Sequence, residues 1–298
     1  MQAWVLKRSA GRKRFTYWTG IWFLLPALAS FLLFKYYPLA QAVYMSLYDY
    51  KIMDPPGKWV GLGNYKALMN SSYFWNAFSN TFVFYVLYLA LTFWVPIVQA
   101  LFLNEIKRAN MLFRFLYLAP TAVPAVAGFI LWKWIYNPDY GLLNSWLGKL
   151  GLGPYGWLND PAMAKLAIVL PGIMGGGIAL LLYYSALQGI PKEVLEAARM
   201  DGASPLQRMF RIVLPGLRFI IAIQFVNFTA GIFLSFDSMY VMTGGGPVDS
   251  TRVLSMLVYD SAFVEYRFGM AGAISMVMFA IISVITAIQI RMSRGGAN

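Results

Sequence analysis

The stretch GMAGAISMVMFAIISVITAIQI, Gly269 to Ile290, decides the fold. It carries no charge, and it is long enough as a helix to cross the ~30 Å hydrocarbon core of a bilayer, which takes about 20 apolar residues. Ile, Val, Met and Phe fall on every side of it, so it lacks the polar face of a helix in a small soluble core. Working outward, five more windows of this kind occur: Trp18 to Phe34, Phe78 to Leu103, Leu112 to Tyr136, Leu166 to Leu187 and Leu217 to Thr243. Composition agrees, with 59% hydrophobic residues and 12% charged, about half the usual charged share. The expected fold is all-α: a polytopic membrane protein with six transmembrane helices, 1–298 forming one transmembrane domain with core spans over about 78–292.

The first window has a competing reading. Lys7, Arg8, Arg12, Lys13 and Arg14 precede an apolar stretch with Ala27-Leu28-Ala29, as in a cleavable signal peptide. The stretch continues through Phe31 to Phe34, past the would-be cleavage point, which suits a retained anchor better.

Six spans put both ends on one side, and the bias of Lys and Arg says which. With cytoplasmic termini the inside segments hold the five N-terminal residues, then Lys107, Arg108 and Arg114. They also hold Lys192, Arg199, Arg208, Arg211 and Arg218, then Arg291 and Arg294. That is 15 of the 24 basic residues, against at most nine outside. The net charge of +12 therefore reports orientation in a lipid bilayer, not a nucleic-acid surface. Trp and Tyr crowd the outer ends, among them Tyr36, Trp59, Trp75, Trp132 and Tyr136, as an aromatic belt does.

His and Cys are absent, which removes imidazole acid/base chemistry, thiol nucleophiles and almost every transition-metal site. No metal site is expected. No GxxxxGK[ST] sequence occurs, so the chain is not expected to hydrolyse ATP; it reads as a transport protein and not an enzyme.

Residues 188–216, QGIPKEVLEAARMDGASPLQRMFRIVLPG, form the most informative connection. Pro191 suits the first position of a short helix and Glu193 its first turn. Gly202 can end that helix in the left-handed conformation, and Ser204-Pro205-Leu206-Gln207 reads as a capping box that starts a second helix. Pro215 is expected to pull Leu214 out of the helical region and mark the entry into span five. The reading is a helix, a glycine elbow and a helix. A plain connector needs only a handful of residues, so this one is built to contact something. Val194, Leu195, Ala198 and Met200 would fill a partner's groove, with Glu196, Arg199 and Asp201 fixing polar contacts. From the residues alone, an amphipathic element lying on the lipid surface fits as well.

The pattern Glu196-Ala197-Ala198, three residues, Gly202, nine residues, Ile212, one residue, Leu214-Pro215 resembles the EAA loop of ABC importer permeases at every position. The rest is similar to the sugar-type, maltose- and glycerol-3-phosphate-like first permeases. That likeness is carried by Phe23-Leu24-Leu25-Pro26-Ala27, Gly61-Leu62-Gly63-Asn64-Tyr65, WKWIYNPDYGLLN (Trp132 to Asn144) and Thr243-Gly244-Gly245-Gly246-Pro247 with Ser250-Thr251. The resemblance implies a permease subunit of a carbohydrate importer in a bacterial or archaeal plasma membrane. Its partners would be a second permease subunit, an ATPase dimer and an extracytoplasmic sugar-binding protein. No cofactor would be bound by this chain; ATP and Mg would sit on the ATPase. Glu196, Ala197, Ala198, Arg199, Asp201 and Gly202 would then couple to the ATPase.

A substrate path should show as polar and small residues inside a span. On span five Gln224, Asn227, Phe228, Gly231, Ser235 and Ser238 recur at three- and four-residue steps, with Ile232 in the same set. Amides and hydroxyls suit sugar hydroxyls, and Phe228 could stack on a sugar ring. The resemblance also points to Met174, Gly175 and Ile178 on span four. The competing reading is interhelical packing, in which small and hydroxyl residues let helices approach. Asp237 is the lone acidic residue in these windows, suiting either a paired structural carboxylate or a substrate contact. The main rival function is a secondary ion-coupled transporter, which predicts repeated broken helices and clustered intramembrane acids; the sequence suggests neither.

Overall fold

The computed structural model describes residues 21–106 and 110–295. The basic cluster Lys7 to Arg14, the start of the first window at Trp18 and the pair Lys107-Arg108 lie outside them.

Four helices are long and apolar enough to cross a membrane: Ile21–Ser46 (span one), Ser72–Glu105 (span two), Arg218–Thr243 (span five) and Phe268–Ser293 (span six). Two bent pairs complete the set. Met111–Ala122 with Ala125–Ile135 (span three) turns by 92°, and Pro161–Met174 with Gly177–Gln188 (span four) turns by 47°. Taking each pair as one crossing gives six.

Three differences from the expected windows have a backbone cause. Span one continues from Phe34 to Ser46 because a π turn over Leu32–Tyr36 hands the Tyr37 N–H to the Leu32 carbonyl. That wider turn accommodates Pro38, which has no N–H to give and whose ring would clash in a regular helix. Span three breaks at Pro120 and Pro124, and span four breaks across Pro171 and Gly175 to Gly177, with Gly177 at φ +46. Hydropathy does not register such breaks, because the residues at them remain apolar. Repeated broken helices are therefore present here, and their expected absence cannot exclude a secondary transporter.

The strands were not foreseen. β1 (Tyr48–Lys51) pairs antiparallel with β2 (Asp54–Trp59), Tyr48 opposite Trp59. The Gly61-to-Tyr65 segment anchors this ribbon: the buried Asn64 amide donates to the Ser46 and Tyr48 carbonyls at 2.8 and 2.9 Å, and the Tyr65 hydroxyl donates to Ser46 Oγ. Gly269 and Gly272 let span six pass against the same backbone; a Cβ on either would fall within 3 Å of a carbonyl oxygen, of Tyr48 and of Ala42 respectively. At the same end, Asn144 donates to the Pro138 and Tyr155 carbonyls and accepts from the Tyr155 N–H and Trp157 Nε1. Thr251 closes the Thr243-to-Pro247 turn by bonding Thr243 and the Gly246 carbonyl. Three of the four segments that carried the resemblance thus fold the connections, while Phe23 to Ala27 lies within span one.

Three apolar clusters fill the interior among the described residues; one, around Phe74, Leu254 and Ile274, packs span two against span six, and the other two flank the helix breaks. The first of these two gathers Phe84, Tyr136, Ile168, Met239, Met242 and Met256 toward the connection at 137–160. The second gathers Phe93, Ile97, Leu103, Leu180, Tyr183 and Leu217 toward the connection at 188–216. The kink of span two at 92–94 and the break of span four lie between them, with Thr92 facing Gly172.

Candidate functional site

The connection at 188–216 folds as a helix, an elbow and a second helix. The first helix is Lys192–Met200, with Pro191 one position earlier than expected, as its N-cap, and Glu193 in the first turn. Gly202 has φ +75, the left-handed region, and the Ala203 N–H returns to the Ala198 carbonyl at 3.0 Å. The capping box is complete: the Gln207 N–H donates to Ser204 Oγ and the Ser204 N–H to Gln207 Oε1 at 2.8 Å. Leu214 departs from expectation. It is helical, at φ −62 and ψ −42, because a π turn over Met209–Val213 accommodates Pro215 as the first π turn accommodates Pro38.

Glu196, Ala197, Arg199, Asp201 and Gly202 are exposed, and no ion pair engages Glu196, Arg199 or Asp201 among the described residues. Of the apolar set, Val194 and Met200 are uncovered, Met200 at 89%, whereas Leu195 and Ala198 are half-buried. Leu206 and Phe210 extend the uncovered surface onto the second helix. Three charges and four large apolar groups thus lie open on this element, as either a protein contact or a lipid-surface element requires.

The stripe on span five divides. Asn227 and Gly231 are exposed, and Gln224, Ile232 and Ser235 are half-buried; Asn227 Nδ2 donates weakly to Gln224 Oε1 at 3.4 Å. A Cβ at Gly231 would meet nothing within 4 Å, so no helix among the described residues approaches closely there. Phe228 packs against Phe93, ring centroids 5.1 Å apart in a T-shaped pair, within the second apolar cluster. Its ring is thus engaged in packing. Ser238 leaves the stripe altogether: helical bonding lapses between Phe233 and Asp237, the phase of the helix shifts, and Ser238 is buried against Met239. On span four Met174 and Ile178 are uncovered, at 69% and 72%, and flank the break at Gly175. Asp237 is exposed in the first turn of its short helix, where the dipole favours a carboxylate, and forms no ion pair among the described residues.

Among the intramembrane amides that escaped the sequence reading, Gln99 and Gln289 tie spans together. Gln99 Nε2 donates to the Gly175 carbonyl at 3.0 Å, satisfying backbone that the break in span four frees. Gln289 is buried and donates to Thr229 Oγ1 at 2.7 Å, and the Tyr85 hydroxyl lies 3.2 Å from the same oxygen. This network ties spans two, five and six. Each amide is a costly polar group inside an apolar window, which is the signal that could have found it. At the end holding the ribbon, Arg252 bonds Asp249 at 2.8 Å and Asp260, with its guanidinium over the Tyr73 ring. Burial pushes the Asp260 carboxyl above the ordinary carboxylate range, against the pull of Arg252.

Comparison with known proteins gives the family. Residues 97–294 match the model of the binding-protein-dependent transport system inner membrane component. The chain belongs to that family. A Bacillus subtilis protein named "Probable ABC transporter permease protein YurN" is 32% identical to this permease, over 92% of this chain and 95% of its own. The trehalose/maltose transport system permease MalF of Thermococcus litoralis is also 32% identical, over 92% and 93%. In structure, the permease is similar to a chain of a bacterial alginate ABC transporter solved with an alginate pentasaccharide-bound periplasmic protein. The TM-score is 0.82 at 24% identity, covering 95% of this chain and 96% of that one. Family membership, and not helix continuity, disposes of the secondary-transporter reading.

Proposed function

We propose that this permease forms half of the membrane path of an ABC importer for a carbohydrate. Its partners would be a second permease subunit, an ATPase dimer and an extracytoplasmic binding protein. Both termini face the cytoplasm in this reading, which the distribution of Lys and Arg supports. ATP and Mg belong to the ATPase, and this chain binds no cofactor.

The observation that carries the proposal is the elbow at 188–216. Closing of the ATPase dimer draws the Glu196-to-Asp201 helices of the two permeases together, and rigid-body rotation opens the path outward. Reopening restores the inward state. Substrate then meets Asn227, Gly231 and Ser235 on span five, with Gly175 and Ile178 on span four beside them. The names of the relatives, a trehalose/maltose permease among them, support a sugar as cargo.

Two expected results test this. Ala198→Cys, in a scan with Ala197 and Met200, forms a disulfide with a cysteine placed in the ATPase cleft; failure at all three positions would return the loop to the lipid surface. Asn227→Ala and Ser235→Ala each lower the apparent affinity for sugar in stimulated ATPase assays by roughly three- to tenfold, the worth of about one hydrogen bond. Unchanged stimulation in both assigns those residues to packing.

A further inference from the structure

The lapse in span five at residues 234–236 sets Phe236 and Tyr240 one helical turn apart, with rings stacked at 4.8 Å and inclined by only 22°. Tyr259, from the helix Leu254–Tyr259, meets both, at 5.0 Å from Phe236 and 5.4 Å from Tyr240. Phe263 follows one turn later, 5.4 Å from Tyr259. Three rings thus form a triangle between two elements, and Phe263 extends it by one turn. Phe236 packs against the first apolar cluster and Tyr259 is half-buried, whereas Tyr240 is 43% exposed and Phe263 61%.

The ring cluster borders two cavities. Phe236 lines one of about 820 Å³, with Ser255, Ser283 and Thr286 among its walls. Tyr240 lines another of about 600 Å³, beside Arg252, Asp260 and Glu265 at the end holding the ribbon. Ser235, the last member of the polar stripe, adjoins Phe236, and its carbonyl accepts the Ser255 hydroxyl. Aromatic residues of an interfacial belt act singly, each at headgroup depth. Here the rings touch one another, and the cluster lies between the ribbon-end cavity lined by Tyr240 and Ser235 at the end of the stripe.

We propose that Phe236, Tyr240, Tyr259 and Phe263 are a stacking track for the pyranose faces of the transported sugar, an entry subsite preceding Asn227 and Ser235. The proposal rests on the carbohydrate reading above. The C–H groups on one face of a pyranose ring meet the negative face of an aromatic ring, and tyrosine hydroxyls bond the sugar's rim. Several weak, nearly equivalent faces suit conduction, because cargo must leave each station as readily as it enters.

The test uses the assembled transporter in nanodiscs, with maltotriose as probe and mannitol, an open-chain polyol, as control. Saturation-transfer NMR with aromatic irradiation is expected to mark the maltotriose ring protons and not mannitol. The double variant Tyr240→Leu, Phe263→Leu loses the transfer by roughly fivefold or more, the effect of removing two stacking contacts; Tyr240→Phe keeps it. If the double variant does not assemble, Phe263→Leu alone, at an exposed ring, carries the comparison. Equal transfer to mannitol, or in the leucine variants, overturns the track. Uptake of a panel of labelled sugars separates the two claims. A transporter that imports a sugar with unchanged KM and kcat in the leucine variants keeps the carbohydrate reading and loses the track; one that imports no carbohydrate loses both.

Discussion

Gly202→Pro is expected to abolish transport while the partner ATPase continues to hydrolyse ATP and the permease still inserts and assembles. Gly202 sits at φ +75, and its N–H bonds the Arg199 carbonyl at 3.1 Å. Proline, fixed near φ −65° and without an N–H, can supply neither. Space is not the issue, since a Cβ there would meet nothing within 4 Å. Gly202→Ala therefore pays only the backbone cost, about 1–2 kcal/mol, which lowers the population of the bent elbow by about tenfold. Gly202→Asn, which tolerates the left-handed region, pays less. The expected order of sugar moved per ATP is Gly, Asn, Ala, Pro. Wild-type transport in the proline variant would mean that the elbow does not transmit the ATPase's motion.

The largest effect on stability is expected at the other end of the molecule. A Cβ at Gly269 would lie 2.1 Å from the Tyr48 carbonyl oxygen and 2.9 Å from the Tyr50 nitrogen, atoms of the backbone that cannot swing aside. Asn64, which holds that carbonyl, would be displaced as well. Gly269→Ala is expected to cost about 1–3 kcal/mol, the range of overpacking, and Gly269→Leu to detach the ribbon and the end of span one from span six. Melting followed by fluorescence-detected size-exclusion chromatography gives the readout, and both variants should melt below wild type. Gly148→Ala is the control: its Cβ has open space inside a helix, so alanine there is neutral or stabilising. Equal melting of the Gly269 variants and wild type would show that the ribbon can retreat at little cost.

What the sequence revealed and what it concealed divide along the range of the interactions involved. The six apolar windows and the elbow depend on local chemistry, hydropathy over a span and Gly202 with Ser204 and Gln207 within one turn, and both were legible. Chain continuity was not. Pro38 and Pro215 look like helix ends, yet π turns carry the helix through them. Pro120, Pro124 and Gly175 to Gly177 lie within unbroken hydropathy and still break the helix, because apolar character reports solvent and says nothing of backbone bonding. The stripe on span five assumes a constant helical phase; the helix keeps it from Gln224 to Gly231, while Ser235 lies in the lapse and Ser238 beyond it. Gln99 and Gln289 find their partners 76 and 60 residues away, a separation that no local pattern encodes.

The elbow has a mechanical consequence. The bonds that shape it, Asp201 to Ala197, Gly202 to Arg199, Ala203 to Ala198 and the Ser204–Gln207 pair, join residues no more than five apart. Its form is thus set internally, and nothing in it needs to loosen when the spans on either side rotate. A connector of that kind has low compliance and little backlash: a push at one end arrives at the other as displacement, with little of it stored as bending. Under the proposed docking of an ATPase on the elbow, a short stroke there goes into moving the spans.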